Sequence, residues 1–355
     1  MKITDIKFEK VKIKLKKPFV VALGTIEYCE TVIVKVTTDE GYYGFGESAP
    51  FSPVTGETLD TVLLTLSNFK NLLIGENPLN IERIHHIMDR FIIGNTAAKA
   101  GIDIALYDIK GKVMNQPLYR VLGGFDNKVQ TDMTIGIGTP EEMAQDAKDK
   151  VEKGFRILKI KVGINHQNDM EAIKKIRETV GNNIRIRMDA NQGWNVNDAI
   201  RMSRFFEKYG VEAIEQSLPY WDVDGAAFIR KNTNVKVMLD ESIHNSKDAL
   251  KAVKLQAADI LNIKLMKSSG LYMAEKINAI GEAAGINCML GCMLETRIAI
   301  TAAASLVAAK RNITEADLDS FMYCEESELI KGGFSLKGDI IELLEKPGLG
   351  IEVSM

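Results

Sequence analysis

The chain has little of what would mark it for a special environment or partner. Four cysteines stand among 355 residues. Cys29, Cys288, Cys292 and Cys324 are scattered and lack zinc-ligand spacing, so neither a disulfide framework nor a zinc knuckle is expected. So few thiols in so long a chain point to a reducing, cytoplasmic setting. No stretch approaches the ~20 apolar residues of a membrane-spanning helix. The opening MKITDIKFEKVKIKLKK is charged throughout and has no apolar core of a signal peptide. The net charge is only −3, with no basic stripe interleaved with aromatics, which argues against a nucleic-acid partner. No glycine-rich nucleotide fingerprint follows any strand-like segment, which weakens a doubly wound dinucleotide-binding sheet.

What is present is an ordinary globular composition, 46% apolar and 26% charged, at a length that suits a barrel plus a smaller domain. Residues 1–124 read as α+β. KITDIKFEKVKIKL and ETVIVKVTT alternate as strands do, and DEG turns the chain into YYGFGESAP. Helices are predicted near 57–73, 78–92 and 96–114, and two loops stand out, PFVVALGTIEY and APFSPVTGET. From 125 to 324 short strands alternate with helices. The predicted strands are VQTDMTIGI, RILKIKVG, NIRIRMDAN, EAIEQSL, VKVMLDES, DILNIKLMK, NCMLGCML and DLDSF. TPEEMAQDAKDKVEKG carries a threonine cap, a proline at the first helical position and a closing glycine, and Gly181, Gly210 and Gly285 close later helices. The pattern is that of an α/β (β/α)8 TIM-type barrel. Residues 325–355 are expected to return to the first domain and complete an α+β capping domain.

Charged residues recur near the C-terminal ends of successive barrel strands. The second strand has Lys159 and Lys161, the third Asp189, the fourth Glu215, the fifth Asp240 and the sixth Lys264. Their spacings from Lys161 onward are 28, 26, 25 and 24 residues, close to one βα unit each. One layer at the C-terminal face follows, where active sites of such barrels lie. Three carboxylates on neighbouring strands would repel one another, and a divalent cation relieves that; hard oxygen ligands suit Mg2+. Strands 2 and 6 of eight are diametrically opposed, so Lys161 and Lys264 face each other across the mouth. A metal on a substrate carboxylate acidifies the adjacent α-proton by stabilising the enediolate, and a base and an acid on opposite faces would invert that carbon. Asn191 and Glu241 are placed to orient the ligands and lysines. Arg187 either joins them or fills the barrel.

Lys159-x-Lys161, Asp189, Glu215, Asp240 followed by Glu241, and Lys264 resemble the muconate-lactonizing subgroup of the enolase superfamily. The likeness covers nearly the whole chain, including GESAP, TAAKAGIDIALYDIKGK and KPGLGI. It implies one Mg2+ per active site and a capping domain whose two loops close over the substrate. Asp317 and Asp319 resemble the Asp-x-Asp signature of dipeptide epimerases of the L-Ala-D/L-Glu type, which implies that they hold the α-ammonium of a dipeptide. Lys159 and, in the first capping loop, Gly24 and Thr25 are implied substrate neighbours. That loop, VALGTIEY, lacks the arginine that Ala-Glu epimerases often carry near Gly24. The expected activity is two-base 1,1-proton transfer at the C-terminal residue of an L-Ala-L-Xaa dipeptide. Cycloisomerisation, an o-succinylbenzoate synthase-like elimination or N-acylamino acid racemisation would use the same site. A catalytically silent binding protein would lack site residues, and none is missing. The expected partner is a small dipeptide, and the expected assembly a homo-oligomer.

Overall fold

The computed structural model describes residues 1–21, 24–325 and 328–354. Ala22 and Leu23 of the first capping loop, with Glu326, Ser327 and Met355 of the tail, lie outside the described residues. The N-terminal region is an antiparallel sheet of β1 (Ile3–Val21), β2 (Gly24–Thr38) and β3 (Tyr43–Ser48), followed by α1 (Ser52–Thr55), α2 (Leu59–Leu73), α3 (Ile81–Phe91) and α4 (Thr96–Val113). PFVVALGTIEY, expected as a loop, is mostly paired strand. Phe19 faces Ile26 and Val21 faces Gly24, after a register shift between Lys14 and Phe19. Its aromatic and β-branched residues favour a pleated ribbon. α4 lies directly on this sheet, because Gly46 of β3 has no side chain to meet the carbonyl of Gly101.

The chain then runs through β4 (Lys128–Gln130) into eight parallel strands. These are β5 (Met133–Ile135), β6 (Ile157–Lys161), β7 (Arg185–Asp189), β8 (Val211–Glu215), β9 (Lys236–Leu239), β10 (Ile260–Lys264), β11 (Asn287–Gly291) and β12 (Ile313–Asp317). They neighbour one another in sequence order, and the Asp132 amide donates to the Ala316 carbonyl at 3.1 Å where the last strand meets the first. The helix from Pro140 to Glu152 starts at a reciprocal cap between Thr139 and Glu142, and Gly181, with φ 75°, ends the helix from His166 to Val180. Apolar residues of β6 and β7, such as Leu158, Ile160, Ile186 and Met188, are fully buried.

Two expected strands differ. VQTDMTIGI is divided: Met133–Ile135 enters the barrel, whereas β4 pairs with the tail. DLDSF does not form the last strand. β12 starts at Ile313 and ends at Asp317, and its acidic Glu315 disguises it, since that side chain points inward onto Arg185 and Arg187. The tail forms β13 (Ile330–Gly332), β14 (Phe334–Lys337), β15 (Ile340–Leu343) and β16 (Ile351–Val353). β15 pairs with β4, and the Leu349 amide donates to Asp108 of α4.

Two buried carboxylates of the N-terminal region seat it on the barrel. Glu47 of β3 accepts from the Thr296 and Ala299 amides at 2.8 and 3.0 Å, at the N-terminus of the helix from Arg297 to Ala309. Asp103 of α4 accepts from the Leu271 amide, where the helix from Leu271 to Ala283 begins, and from His85 at 2.6 Å. A carboxylate at a helix N-terminus meets unsatisfied donors and the positive end of the dipole.

Candidate active site

The strand register places the charged residues in one layer. Lys161 lies beside Asp189 and Asp189 beside Glu215; on the far side, Lys264 lies beside Gly291 and Gly291 beside Asp317. Asp240 follows the last residue of β9. Gly291 was not anticipated from sequence. A Cβ there would sit 3.1 Å from Cε of Lys264, so the missing side chain leaves that lysine its room. Directly after the carboxylates, Asn191, Gln192 and Gln216 have φ of 40°, 69° and 34°. Such strained backbone concentrates at functional sites.

Each of the three carboxylates is turned on ammonium groups. Asp189 lies 2.6 Å from Lys161 and 3.1 Å from Lys159. Glu215 lies 2.8 Å from Lys159 and accepts from Asn262 at 2.8 Å. Asp240 lies 2.8 Å from Lys264 and 2.5 Å from Lys267. Asn191 accepts from Lys161 at 3.0 Å, its backbone amide donates to Asp189 at 2.9 Å, and its side-chain amide donates to Glu241 at 3.3 Å. Lys159 also reaches Asp317 at 2.7 Å, so its ammonium is the centre of the cluster. Arg187 resolves to barrel filling: it donates to Asp132 at 3.1 Å and to Glu315.

Burial pushes the Asp189 carboxyl up, but Lys161 and Lys159 outweigh it and hold it at about 2. Burial is likewise outweighed at Asp240, which Lys264 and Lys267 hold far below the usual carboxylate range. Lys264 is raised, because Asp240 overcomes the effect of its burial. Two carboxyls are under-compensated. Burial and Asp189 push Glu215 up to about 7, and burial and Asp240 push Glu241 up to about 8. The layer holds six buried carboxyl groups (Asp189, Glu215, Asp240, Glu241, Asp317, Asp319) against four buried ammonium groups (Lys159, Lys161, Lys264, Lys267). Fully ionised, it is short of positive charge, and among the described residues Oε2 of Glu241 and Oδ1 of Asp240 have no hydrogen-bond partner. The donors at β7, β8 and the end of β9 are all carboxylate oxygens, which fits a hard divalent cation.

Among the described residues, the three potential metal-ligating atoms that group within 4.8 Å of one another belong to Cys292, Asp317 and Asp319. The two aspartates therefore converge, although only Asp317 is in the strand. Asp319 starts a short turn (Ser320–Met322) and is fixed by the Thr134 amide at 2.7 Å, with the Tyr323 hydroxyl at 2.9 Å. Burial, then Asp317, pushes Asp319 up to about 6. Thr134, Cys292 and Tyr323 were not anticipated, since nothing local in the sequence marks them.

Lys159, Asn191, Asp240 and Glu241 of this layer border one cavity of about 500 Å3 between barrel and cap, whereas Asp189, Glu215 and Lys267 lie behind its lining. Lys161, Lys264, Asp317 and Asp319 line it, and Phe19, Ile26, Phe51, Val54, Leu59, Met293 and Leu294 form an apolar wall. Phe19 of the β1–β2 hairpin packs on Tyr323 with ring centres 4.9 Å apart. Gly24 and Thr25 sit exposed at the hairpin end and are not part of this lining.

Fold and site together define a capped-barrel enzyme built for proton transfer beside a carboxylate. Residues 3–123 match the mandelate racemase/muconate lactonizing enzyme N-terminal domain, and residues 142–355 match the enolase C-terminal domain-like family. The chain belongs to the mandelate racemase/muconate-lactonizing branch of the enolase superfamily. It is 47% identical over 353 residues to the hydrophobic dipeptide epimerase of Enterococcus faecalis, with 99% of each chain covered. It is 42% identical over 355 residues to the L-Ala-D/L-Glu epimerase of Clostridium acetobutylicum, again with 99% of each covered. To the N-succinyl-L-Arg/Lys racemase of Bacillus cereus it is 40% identical over 359 residues, covering 100% of this chain and 96% of the relative. The crystal structure of the Enterococcus faecalis dipeptide epimerase, complexed with Mg and L-Leu-L-Tyr, superposes with a TM-score of 0.97 over 99% of this chain and 100% of that one.

Proposed function

We propose that this chain is a Mg2+-dependent dipeptide epimerase that inverts the α-carbon of the C-terminal residue. The observation that carries the reading is that Lys161 and Lys264, from strands four apart in a ring of eight, line the same buried cavity as the converging pair Asp317 and Asp319. The relatives named as dipeptide epimerases, at 47% and 42% identity, support it. Asp189, Glu215 and Asp240 would hold Mg2+, which when bound supplies positive charge to the substrate carboxylate and so lowers the cost of removing the α-proton.

The chain's own groups do the rest. Lys161 and Lys264 approach the α-carbon from opposite sides; one, neutral, takes the proton and the other, as ammonium, returns one to the other face. The reverse reaction exchanges the roles. Asp317 and Asp319 hold the α-ammonium of the dipeptide, which relieves their mutual repulsion. A dipeptide with one carboxylate and one ammonium adds no net charge, so positive charge that the layer lacks would come from the divalent cation. Among the described residues no arginine lines the cavity; its capping side offers the apolar wall of Phe19, Ile26, Phe51, Val54 and Leu59 together with Lys10, Glu30, Glu57 and Asp60. That apolar wall suits an apolar second residue best, and three capping-side carboxylates against one lysine make an acidic side chain such as Glu a poor fit. The four cysteines are free and buried, which supports a reducing compartment for the enzyme.

The test is a panel of L-Ala-L-Xaa and L-Leu-L-Xaa dipeptides in D2O with and without Mg2+. Epimer formation with one deuterium at the C-terminal α-carbon, greatest for apolar Xaa and lost after EDTA treatment, is expected. Turnover of N-succinyl amino acids with no turnover of dipeptides would replace the reading.

A further inference from the structure

One buried ammonium has no role in proton transfer. Lys267, three residues beyond Lys264, is fully buried. It donates to the backbone carbonyl of Asp240 and, at 3.2 Å, to that of Asn262, bridging the ends of β9 and β10. Its Nζ also lies 2.5 Å from Oδ1 of Asp240, an ion contact rather than an aligned hydrogen bond. Lys264 is on the other oxygen, Oδ2. The Asp240 amide is tied to Oε1 of Gln216 at 2.9 Å, so the residue is hydrogen-bonded at its amide and its carbonyl and has an ammonium against each carboxylate oxygen. The two lysines are not equivalent. Lys264 ends in the cavity and lines it, whereas Lys267 is not part of that lining and is anchored to two main-chain carbonyls.

We infer that Lys267 is a positioning residue that reserves Oδ1 of Asp240, so that Asp240 offers a cation Oδ2 alone, and that this sets the preference of the site for Mg2+ over Ca2+. The inference rests on the divalent-cation reading above. Mg2+ requires near-octahedral coordination at short distance and takes carboxylates through single oxygens, whereas Ca2+ accepts six to eight ligands and readily binds a carboxylate through both. An ammonium fixed on one oxygen forbids the two-oxygen mode. A lysine suits the task because it is a compact point charge that can donate to two carbonyls while its charge stays against a carboxylate oxygen.

The experiment measures Mg2+ and Ca2+ affinity of the metal-free full chain by calorimetry, for wild type, Lys267→Met and Lys267→Gln. Wild type is expected to bind Mg2+ more tightly than Ca2+. In both variants the ratio is expected to shift toward Ca2+ by at least about tenfold, because Oδ1 becomes available. A merely structural lysine would weaken both ions in proportion. A ratio unchanged in a variant that keeps the wild-type near-ultraviolet circular dichroism overturns the inference. A second measurement needs no folded lysine variant: the infrared carboxylate-stretch difference on adding Mg2+ to wild type, compared with Asp240→Asn. A single-oxygen signature at Asp240 supports the inference and a two-oxygen signature overturns it. Failure of wild type to bind either ion would overturn both this and the metal reading, whereas tight Mg2+ binding with an unmoved ratio removes this inference alone.

Discussion

The barrel interior carries two charged layers that use different cations. At the mouth every cation is a lysine: Lys159, Lys161, Lys264 and Lys267. Two and four residues back along β7 the cations are arginines, and Glu315 lies two residues back along β12. Arg187 joins Asp132 to Glu315, and Arg185 joins Glu212 to Glu315 at 2.8 Å each. A guanidinium is a rigid fork that stays charged, so it fixes carboxylates in place. An ammonium is a point charge that can lose its proton. The lower layer is thus suited to holding strands together, and the upper layer to exchanging protons and partners. The same backbone alternation supplies inward positions to both, so residue type alone separates scaffold from chemistry.

The strongest way to break this comparison is to exchange the cations. Lys161→Arg keeps the charge and removes the base, and Lys161→Ala and Lys264→Ala remove both. Each is expected to lower epimerisation on the order of 10²–10⁴-fold, and the alanine variants also leave a buried carboxylate without one of its ammonium partners. Each alanine variant should retain α-proton exchange with one epimer only, read by proton NMR in D2O. Equal exchange of both epimers by either variant would contradict the assignment of opposite faces.

In the lower layer the loss should appear in stability. Arg187→Met leaves Asp132 and Glu315 without their shared fork and is expected to destabilise the fold by about 3–5 kcal/mol, measured by urea denaturation. Unchanged stability would show that the lower layer is not the scaffold.

Asp317 and Asp319 sharpen the comparison, because they are carboxylates of the mouth to which the proposed function gives a substrate cation. Asp319→Asn is expected to raise KM for free dipeptides by roughly 10- to 100-fold and to narrow the gap to N-acetylated analogues. The check is kcat/KM for both compounds. Wild type accepting the acetylated compound equally well would remove the ammonium clamp.

The smallest expected effect concerns a buried carboxyl served by neither kind of cation. Asp169 accepts from the Gly163 amide at 3.0 Å, and burial pushes it up from an ordinary 3.8 to about 6. The folded state therefore holds this proton more tightly than the unfolded one. The stabilisation is complete below about pH 4 and is lost as pH rises through about 6. Asp169→Asn should remove that dependence, gaining about 3 kcal/mol over wild type at pH 8 and little at pH 4. Parallel denaturation curves at both pH values test this.

The sequence alone determined the barrel, because strands and helices alternate with local caps and period-2 inward positions that need no partner to be read. Those periods also carried Lys161, Asp189, Glu215, Asp240 and Lys264, since one βα unit returns each to the same level. The capping hairpin was less legible: Phe19 and Ile26 favour strand, but only pairing between β1 and β2 turns the loop into a ribbon. β12 was misplaced because Glu315 looks solvent-facing until Arg185 and Arg187 from another strand neutralise it. Asp317 and Asp319 were recognised by their resemblance to an Asp-x-Asp signature, yet it is the turn at Ser320–Met322 and the tie to Thr134, not strand alternation, that brings Asp319 to its partner. Lys267, Gly291, Tyr323 and the burial of Lys159 among three carboxylates depend on contacts 20 to 190 residues apart or on space left by a missing side chain. Periodicity is a local property and survives in one dimension; charge compensation is a sum over neighbours, and only the closed barrel decides who those neighbours are.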